Sequence, residues 1–562
     1  MIEVVKKNLF WILIIAFTLY TFWDLPRTFY QQDEWQTFGH NLSLGLDVLF
    51  NVGPLPFLFG EIRPLSSILY FIFLGFFKFT VVPAAIFAIF LHAVNSILVY
   101  YLVNKITKQR VIAIAAALFL VTNSVSHQAV TWVSAVGTLP AATFILLAII
   151  SYFRYLDTSN RKYVLVSLIF TIVSLYFKGV GIFLFIFLPL LNMIYKNNSF
   201  SIKNTKNIIS QNSPFFIFGF IILFVRLGQV LFQTQHVAGF TNGAGNTSYF
   251  QTIFLHVVLY PLTSLFQIFV PPLDLYSITP VITKMQYKFL IGSPVVDLVA
   301  QSIVADMIAI LGSIVMLGAL GIFVYKLKDK ITTRNIIFTL LFFFLSFLPY
   351  VVLDRDSSYL SSRYFYVGAL AAGILFGYFV YFLINLNKYF KWVVFALVFL
   401  FLFHHGTIIR DDINYQVRLG NERQTVLKGI KELKPTLNNR TIFYVTSDKE
   451  YYGPITNPFQ NGLGYVLEVW YYDGNNIPKE FLSENFLWDL GSEGYKSKGD
   501  KGFGYFQDID KMVAAINKNK LNSDIVNAYF IKSKEQEVVD ITKETRERIS
   551  TISAITQNDS PR

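Results

Sequence analysis

Long hydrophobic runs fill the chain up to about residue 405, and short patterned groups of apolar residues replace them from about residue 411. Long runs separated by short polar or basic segments are typical of polytopic membrane proteins. The later region instead alternates strand-like and helix-like patterns. The pattern therefore predicts a polytopic α-helical membrane domain, residues 1–410, followed by a small soluble α/β domain, residues 411–562.

The basic segments between the runs predict about eleven transmembrane helices, because Lys and Arg concentrate in cytoplasmic loops. The run from Leu9 to Trp23 follows Lys6-Lys7 and has no small-residue cleavage site after it, which favours a retained first helix with a cytoplasmic amino end. Residues 64–78 are too short for a span and are assigned as interfacial or re-entrant. A span at residues 250–270 would put the next basic segment outside the membrane, so these residues are assigned in the same way. The soluble domain then lies on the outer side of a plasma or inner cell membrane.

The soluble domain contains two predicted strands, residues 441–446 and 527–532. One helix face is predicted at four positions spaced i, i+3, i+4 and i+7: Ile509, Met512, Val513 and Ile516. A second helix face is predicted at Val426, Ile430 and Leu433. The polar tail, residues 534–562, is expected to end in disorder. Strands and helices alternate, which predicts the α/β class.

The first outer loop, residues 24–63, contains an adjacent acid pair, Asp33-Glu34, in an otherwise aromatic and amide-rich stretch. Such a pair can be an ordinary solvated feature of a loop. Neighbouring side chains point apart along a strand and about a quarter-turn apart on a helix, so the two carboxylates cannot flank one glycosidic bond. The economical functional interpretation is one acid acting as a general base.

Three cations lie toward the predicted outer ends of apolar runs: Lys178, Arg226 and Arg363. Lys178 lies between two apolar runs, where an ionisable residue often has a function. Alternatively, its amine extends to the lipid headgroups. Arg226 needs an anion, and its own run contains no acid, which favours a lipid phosphate. Arg363 opens a late helix near Asp354 and Asp356, which could pair with it.

Two histidines are further candidates for substrate binding. His92 lies in a predicted span, close to the helix face of Asn95, and His127 lies in an outer loop. A single histidine is more often a hydrogen-bonded structural residue than a catalyst. Neither has a carboxylate or a second histidine at metal-ligand spacing, so no metal ligand is assigned.

Composition narrows the function classes. Charged residues make up 15% of the chain, against about 25% in soluble proteins. The formal net charge of +12 fits the basic residues of cytoplasmic loops. The sequence has no basic stripe interleaved with exposed aromatic residues, the pattern that would indicate nucleic-acid binding. The absence of cysteine from the sequence excludes disulfides, thiolate metal sites and cysteine nucleophiles.

Five short stretches resemble the GT-C fold glycosyltransferases that use a polyprenyl-phosphate sugar. The resemblance covers roughly residues 8–405 and is closest to the protein O-mannosyltransferase-like group, including its tetratricopeptide-carrying members. The stretches are Asp33-Glu34, Arg63-Pro-Leu-Ser66, His92-Ala-Val-Asn95, His127-Gln-Ala-Val130 and Ser362-Arg-Tyr364. Their order, sidedness and spacing carry the resemblance more than any one of them.

The resemblance implies that Asp33 is the catalytic base, that Glu34 supports or substitutes for it, and that a membrane cavity takes the lipid phosphate. Two departures concern acids. Gly179 and Gln128 stand where the family often has glutamate. No cofactor is firmly predicted beyond the lipid-linked sugar donor, and the use of a divalent metal stays open.

The expected reaction is the inverting transfer of one sugar from a polyprenyl-phosphate donor to an envelope glycan, lipid or protein. Lys178, Arg226 and Arg363 would hold the phosphate, whose developing charge they would stabilise, and a phosphate leaving group needs no protonating acid. One alternative is a transporter or lipid flippase, which would place ionisable residues near the bilayer middle in pseudo-symmetric halves. A second alternative is a non-catalytic envelope scaffold with the GT-C fold.

Overall fold

The computed structural model describes residues 2–31, 33–37, 63–196, 202–232, 249–286, 294–327, 329–351, 360–386, 389–449, 458–459, 462–473, 476–478, 481 and 493–558. These residues form two compact units. The helical unit comprises residues 2–23, 63–66 and 87–411 of the described chain. The C-terminal unit comprises residues 24–37, 67–86 and 412–558 of it. Part of the predicted first outer loop therefore folds with the C-terminal unit.

Helices make up nearly all of the regular structure before the C-terminal sheet. They are α1 (Ile2–Phe22), α2 (Asp33–Gln36), α3 (Pro64–Tyr70), α4 (Val82–Thr107), α5 (Arg110–Thr122), α6 (Gln128–Thr131), α7 (Thr138–Thr158), α8 (Lys162–Phe177), α9 (Leu184–Tyr195), α10 (Ile202–Gln211), α11 (Ser213–Phe232), α12 (Tyr249–Phe269), α13 (Pro272–Gln286), α14 (Pro294–Leu327), α15 (Lys330–Ser346), α16 (Tyr366–Leu386) and α17 (Lys391–Leu433). A π-helical turn, Phe71–Phe76, continues α3. Short 3₁₀ turns at Leu25–Arg27, Ser124–Ser126, Val133–Ala135, Gly179–Phe183, Leu348–Tyr350 and Ser362–Tyr364 join several of the others.

Six segments of the described chain are long and apolar enough to cross a membrane. They are Val82–Thr107, Val133–Thr158, Ala300–Lys326, Lys330–Tyr350, Tyr366–Leu386 and Lys391–Leu433. A seventh is obtained if Ile253–Phe269 and Pro272–Thr283, which meet at an angle of 102°, form one broken span. The chain thus has the character of a multi-pass membrane protein.

The expected number of about eleven spans is higher than the described residues provide. Several predicted spans are apolar helices that are shorter than a bilayer crossing, among them α5 with 13 residues and α8 with 16. At about 1.5 Å per residue, these helices fall short of the roughly 30 Å of a hydrocarbon core. Hydropathy identified these apolar segments, but the prediction counted runs as transmembrane spans that are too short to cross a membrane.

Two glycines allow a close contact between two helices of the helical unit. Gly373 and Gly377 lie one turn apart on α16, and a Cβ atom on either one would overlap the carbonyl of Ala116 or Ile112 on α5. Small residues four positions apart let two membrane helices pack with their backbones close together. This contact fixes the position of α16, whose first turn follows Arg363 and Tyr364.

The C-terminal unit contains a five-stranded sheet in the order β2-β3-β1-β4-β5. The strands are β1 (Arg440–Ser447), β2 (Gly494–Lys498), β3 (Lys501–Phe506), β4 (Val526–Lys532) and β5 (Glu537–Asp540). The helices among and after them are α18 (Leu463–Tyr471), α19 (Ile509–Lys518) and α20 (Thr542–Asn558). The central pairs β1–β3 and β1–β4 are parallel, and the outer pairs are antiparallel.

The predicted α/β class of this region is confirmed, as are both predicted strands. The four predicted helix positions are all buried on α19, where they pack against Ile442 and Val526 of the sheet. Alternation places Phe443 of β1 on the opposite face, against Tyr471 and Phe503. Helix α19 starts at an Asp508 N-cap, whose carboxylate accepts hydrogen bonds from two backbone N–H groups.

Two expectations for the region after residue 390 were wrong. The last helix of the predicted membrane domain does not end before residue 411, because α17 continues for 43 residues from Lys391 to Leu433. Val426 and Ile430 are buried on it as predicted, but Leu433 is 44% exposed. The polar tail forms β5 and α20 as far as residue 558, and its end, for which disorder was predicted, lies outside the described residues.

Candidate functional site

Lys178 lies at the junction between α8 and the turn Gly179–Phe183, outside both apolar helices. Its backbone is extended, and its N–H caps α8 by donating to Ser174. The side chain is buried with 8% exposure. Its Nζ donates to the Thr138 hydroxyl over 2.6 Å and lies 5.3 Å from the centre of the Tyr364 ring. The turn thus directs the lysine into the protein rather than toward the surface.

Two arginines lie within electrostatic range of this amine. Arg63 precedes α3, and Arg363 lies in the turn Ser362–Tyr364. Burial, and then the positive charges of Arg63 and Arg363, hold the pKa of the Lys178 ammonium well below its ordinary value. Two guanidinium groups from distant segments therefore lie within electrostatic range of the buried Lys178 amine, and an anion bound beside that amine would favour its charged form.

Aromatic rings line the same place. The Arg363 guanidinium lies 4.5 Å from the ring centre of Trp132 and 4.8 Å from that of Tyr364. The Tyr350 and Tyr364 ring centres are 4.7 Å apart. Within the described chain, Trp132 Nε1 and the Tyr350 hydroxyl are buried without a hydrogen-bond partner. We call Arg63, Lys178, Arg363, Trp132, Tyr350 and Tyr364 together the cation–aromatic cluster.

Neither Lys178 nor Arg363 contacts an acid among the residues that the structure describes. The contacts of Lys178 there are a hydroxyl and a ring, and those of Arg363 are two rings and the Tyr364 hydroxyl. Asp354 and Asp356, the acids considered as partners of Arg363, lie outside the described residues. The cluster therefore offers positive charge and two unused hydrogen-bond donors to an anion.

Backbone contacts hold the segments that carry the cluster. The Ser66 hydroxyl on α3 donates to the carbonyl of Phe177, next to Lys178, over 2.5 Å. The Ser362 hydroxyl donates to the carbonyl of Val125 over 2.6 Å and accepts from the N–H of Gln128. Three of the five stretches that carry the family resemblance thus supply residues in or beside the cluster.

His92 supports this arrangement from within the helical unit. It is 2% exposed, its Nδ1 lies 2.7 Å from the Tyr366 hydroxyl, and its Nε2 lies 3.3 Å from the Val121 carbonyl. Asn95 donates to the same hydroxyl over 3.2 Å. The histidine therefore contacts both the start of α16, two residues after Tyr364, and the end of α5. A contact between His92 and substrate stays a prediction.

The other two predicted binding residues are less well defined. The half-buried His127 precedes α6, and its Nδ1 lies 2.5 Å from the Ser124 carbonyl. Arg226 belongs to α11, but its side chain lies outside the described part of that helix. The roles of both residues stay predictions. At the two positions where the sequence departs from the family pattern, the backbone N–H of Gln128 donates to the Ser362 hydroxyl, and a Cβ atom on Gly179 would meet open space.

The acid pair lies in the C-terminal unit and opens α2. Glu34 is 1% exposed, and its Oε2 accepts from the N–H of Gln31 over 3.2 Å. Its carboxylate lies within electrostatic range of Arg423 on α17, which is also 1% exposed. Asp33 is half-buried, and its carbonyl accepts from the Thr37 hydroxyl. The two acids therefore have different surroundings, as their adjacency in the sequence predicts.

The sequence interpretation missed several members of the cluster. Arg63 and Tyr364 were noted only as parts of the family-like stretches, and Trp132 and Tyr350 were not candidates. The available signal was the repeated pairing of a cation with aromatic residues at predicted outer helix ends.

Among the residues described, no three His, Cys, Asp or Glu side chains lie close enough together to hold a metal ion. Comparison with protein-family models gives no match, and a search of curated proteins finds no similar sequence.

Proposed function

We propose that the protein is a membrane glycosyltransferase that moves one sugar from a polyprenyl-phosphate donor to a hydroxyl group. The observation that carries the proposal is the buried amine of Lys178, which faces two guanidinium groups and no described acid. Anion binding compensates such a cluster. Apolar helices flank it on both sides in the chain, which favours an anion attached to a lipid over a free one.

In the proposed reaction, the acceptor oxygen attacks the anomeric carbon of the sugar as the bond from that carbon to the phosphate oxygen breaks. The electrons of the broken bond go to the lipid phosphate, and one displacement inverts the anomeric configuration. The leaving lipid phosphate is a monoester, which carries more negative charge than the diester of the donor. Cations already in place stabilise that charge without reorganising, which lowers the barrier more than it tightens donor binding.

Asp33 takes the acceptor proton in this proposal. The assignment rests on the family resemblance and on the different surroundings of the two acids. Glu34 is buried and faces Arg423, which suits an ionised carboxylate with a structural task. Asp33 is the less buried of the pair and therefore the better base.

The acceptor is a hydroxyl of an envelope glycan, lipid or protein, and the reaction takes place on the outer face of the cell membrane. The direction of the spans from charge bias supports this side. The same charge bias favours an amino end in the cytoplasm and a C-terminal unit outside the cell membrane. The donor is the expected lipid partner, and nucleic acid has no part in the proposal.

A lipid flippase is the second candidate, because α12 and α13 meet at 102°. Discontinuous helices often form the binding sites of transporters. A flippase would also bind a lipid phosphate at the cluster. It would move the lipid across vesicle bilayers without cleaving a sugar from it, which separates the two functions experimentally.

Lipid-phosphate binding is the first test. The probe is undecaprenyl phosphate, titrated into the purified full-length protein in detergent. We expect Lys178→Met to weaken binding by about 10- to 100-fold, because a charge-assisted hydrogen bond is worth about 1.5–3 kcal/mol. The matched control is Lys162→Met, which removes an exposed lysine at the other end of α8. Equal affinity of both variants would contradict the phosphate site.

Donor turnover is the second test. Undecaprenyl-phosphate hexoses are incubated with the protein and an envelope fraction as acceptor, and released undecaprenyl phosphate is measured. We expect Asp33→Asn to lower turnover by about 10²- to 10⁴-fold while undecaprenyl phosphate binding is kept. Unchanged turnover would refute Asp33 as the base. Lipid binding without turnover by the parent protein would favour the flippase or the scaffold.

A further inference from the structure

The acid loop, defined as the described residues 24–31 and 33–37, packs against α17 and α18. Phe29 lies beside Gly420 of α17, where a Cβ atom would come within 2.9 Å of the Phe29 backbone nitrogen. The ring centres of Phe29 and Trp470 are 6.4 Å apart. Glycine at position 420 thus permits a close approach of helix and loop that a larger residue would prevent.

The loop is also fixed at the residue next to the acid pair. Trp35 is fully buried, and its ring lies about 6 Å from those of Phe29, Tyr30 and Phe79. The Tyr465 hydroxyl of α18 donates to the Trp35 carbonyl over 3.0 Å. The bond is buried and joins residues 430 positions apart in the sequence. A single hydroxyl from the C-terminal unit thus holds the backbone two residues from Asp33.

Arg423 supplies the charge that Glu34 faces. Its guanidinium is buried, and its Nε donates to the Pro458 carbonyl. Glu34 and Glu422 both lie within electrostatic range of it. The arginine is therefore anchored within the C-terminal unit and presents its charge to one member of the acid pair.

We propose that Tyr465 and Arg423 are positioning residues for Asp33. Tyr465 fixes the backbone of the short helix that carries the pair, and Arg423 holds Glu34, so that the neighbouring Asp33 carboxylate keeps one orientation. The chain after residue 411 then contributes directly to the acid site and is more than an accessory to it. This inference rests on the proposed function for its catalytic consequence, but its structural part can be measured without any sugar transfer.

The test compares two tyrosines of the same helix. Tyr465→Phe removes the bond to Trp35, and Tyr471→Phe removes the bonds from Tyr471 to the carbonyls of Ile430 and Lys434. Both changes delete one hydroxyl of α18, but only the first reaches the acid loop. Hydrogen exchange of the peptide that covers residues 28–37 reports on the loop, and undecaprenyl-phosphate hexose turnover reports on Asp33.

We expect Tyr465→Phe to speed exchange in residues 28–37 and to lower kcat by about 2- to 10-fold, the range for one lost hydrogen bond. KM and the affinity for undecaprenyl phosphate should stay as in the parent protein. Tyr471→Phe should change neither measurement in this loop. Arg423→Lys, which keeps the charge, should keep more turnover than Arg423→Gln.

The outcomes separate the two proposals. If exchange rises in Tyr465→Phe but the parent protein turns over no donor, the loop contact stands and the transferase proposal fails. If the parent is active and Tyr465→Phe changes neither exchange nor kcat relative to Tyr471→Phe, the positioning role is overturned. An equal loss of kcat in both tyrosine variants, with equal exchange, would also overturn it, because the effect would then be general destabilisation.

Discussion

The helical unit and the C-terminal unit each bury charged side chains, but they compensate them differently. In the helical unit, Lys178 faces Arg63 and Arg363, with no acid beside it in the described chain. In the C-terminal unit, Glu34 and Arg423 are both 1% exposed and have opposite charge. In the helical unit, the described charges near Lys178 are of like sign, whereas in the C-terminal unit the charge near Glu34 is of opposite sign.

The difference teaches which charges serve the fold and which are available to a ligand. A buried charge loses its hydration, and an opposite charge nearby recovers part of that loss. Where the fold supplies the opposite charge, removing one member of the pair leaves the other buried with the full cost of its lost hydration. Where the fold supplies only like charges, removing one relieves repulsion and leaves the function, rather than the stability, to suffer.

The largest expected effect comes from making the same kind of substitution in both units. Arg423→Met should lower the free energy of unfolding by about 3 kcal/mol, because it leaves Glu34 buried without its positive neighbour. Lys178→Met should leave stability unchanged or raise it, because it removes one of three mutually repelling cations. Thermal unfolding midpoints of the two variants in the same detergent measure the contrast. Destabilisation of similar size in both would show that Lys178 has a structural anion partner.

Much of the fold could be predicted from the sequence because it follows from local periodicity. The four α19 positions and strand β1 depend on spacing alone and were correct. The continuous α17 was missed because a change from apolar to polar residues was taken as a domain boundary. Backbone hydrogen bonds within a helix do not depend on the solvent around it, so one helix can cross such a change.

The site was predictable only in part because its members are far apart in the sequence. Lys178 and Arg363 were identified one by one, from charge within or beside apolar runs. Their meeting with Arg63 depends on the way α3, α8 and α16 pack, which no local pattern records. The association of Glu34 with Arg423 was missed for the same reason, since the composition change near residue 411 separated loop and helix into different predicted domains.

Two glycines beside the cation–aromatic cluster give the next effect in size. A Cβ atom on Gly137 would overlap the Ser66 hydroxyl, which holds α3 to Phe177. Gly137→Ala should therefore cost about 2 kcal/mol of stability and weaken undecaprenyl phosphate binding, because it displaces the segments of Arg63 and Lys178. Gly179→Ala is the control, since its Cβ would meet open space. Equal affinities and midpoints would mean that the cluster tolerates displacement of α3.

The effect that is smallest at pH 5, and that grows as the pH rises, tests charge balance in the C-terminal unit at a second place. Glu468 on α18 is fully buried, and neither of its carboxyl oxygens has a hydrogen-bond partner in the described chain. Burial raises the pKa of this carboxyl well above its ordinary value of 4.5. The folded protein therefore keeps the proton at a pH where the unfolded chain has lost it. Stability from this group is complete below pH 4.5 and falls, by up to about 1.4 kcal/mol per pH unit, as the pH rises toward the folded pKa.

Glu468→Gln should remove this slope, so that the variant gains on the parent protein as the pH rises from 5 to 8. Glu493 provides a control of opposite sign. Burial raises its pKa, but hydrogen bonds from Lys511 and from the N–H groups of Gln507 and Asp508 outweigh burial and lower it. Its contribution is present above pH 4.5 and is lost as the pH falls, so Glu493→Gln should be less stable than the parent near pH 7 and equal to it in acid. Thermal midpoints from about pH 3 to pH 8 measure both variants. If Glu468→Gln followed the parent at every pH, Glu468 would be ionised in the folded protein, and the C-terminal unit would contain an unbalanced charge as the helical unit does.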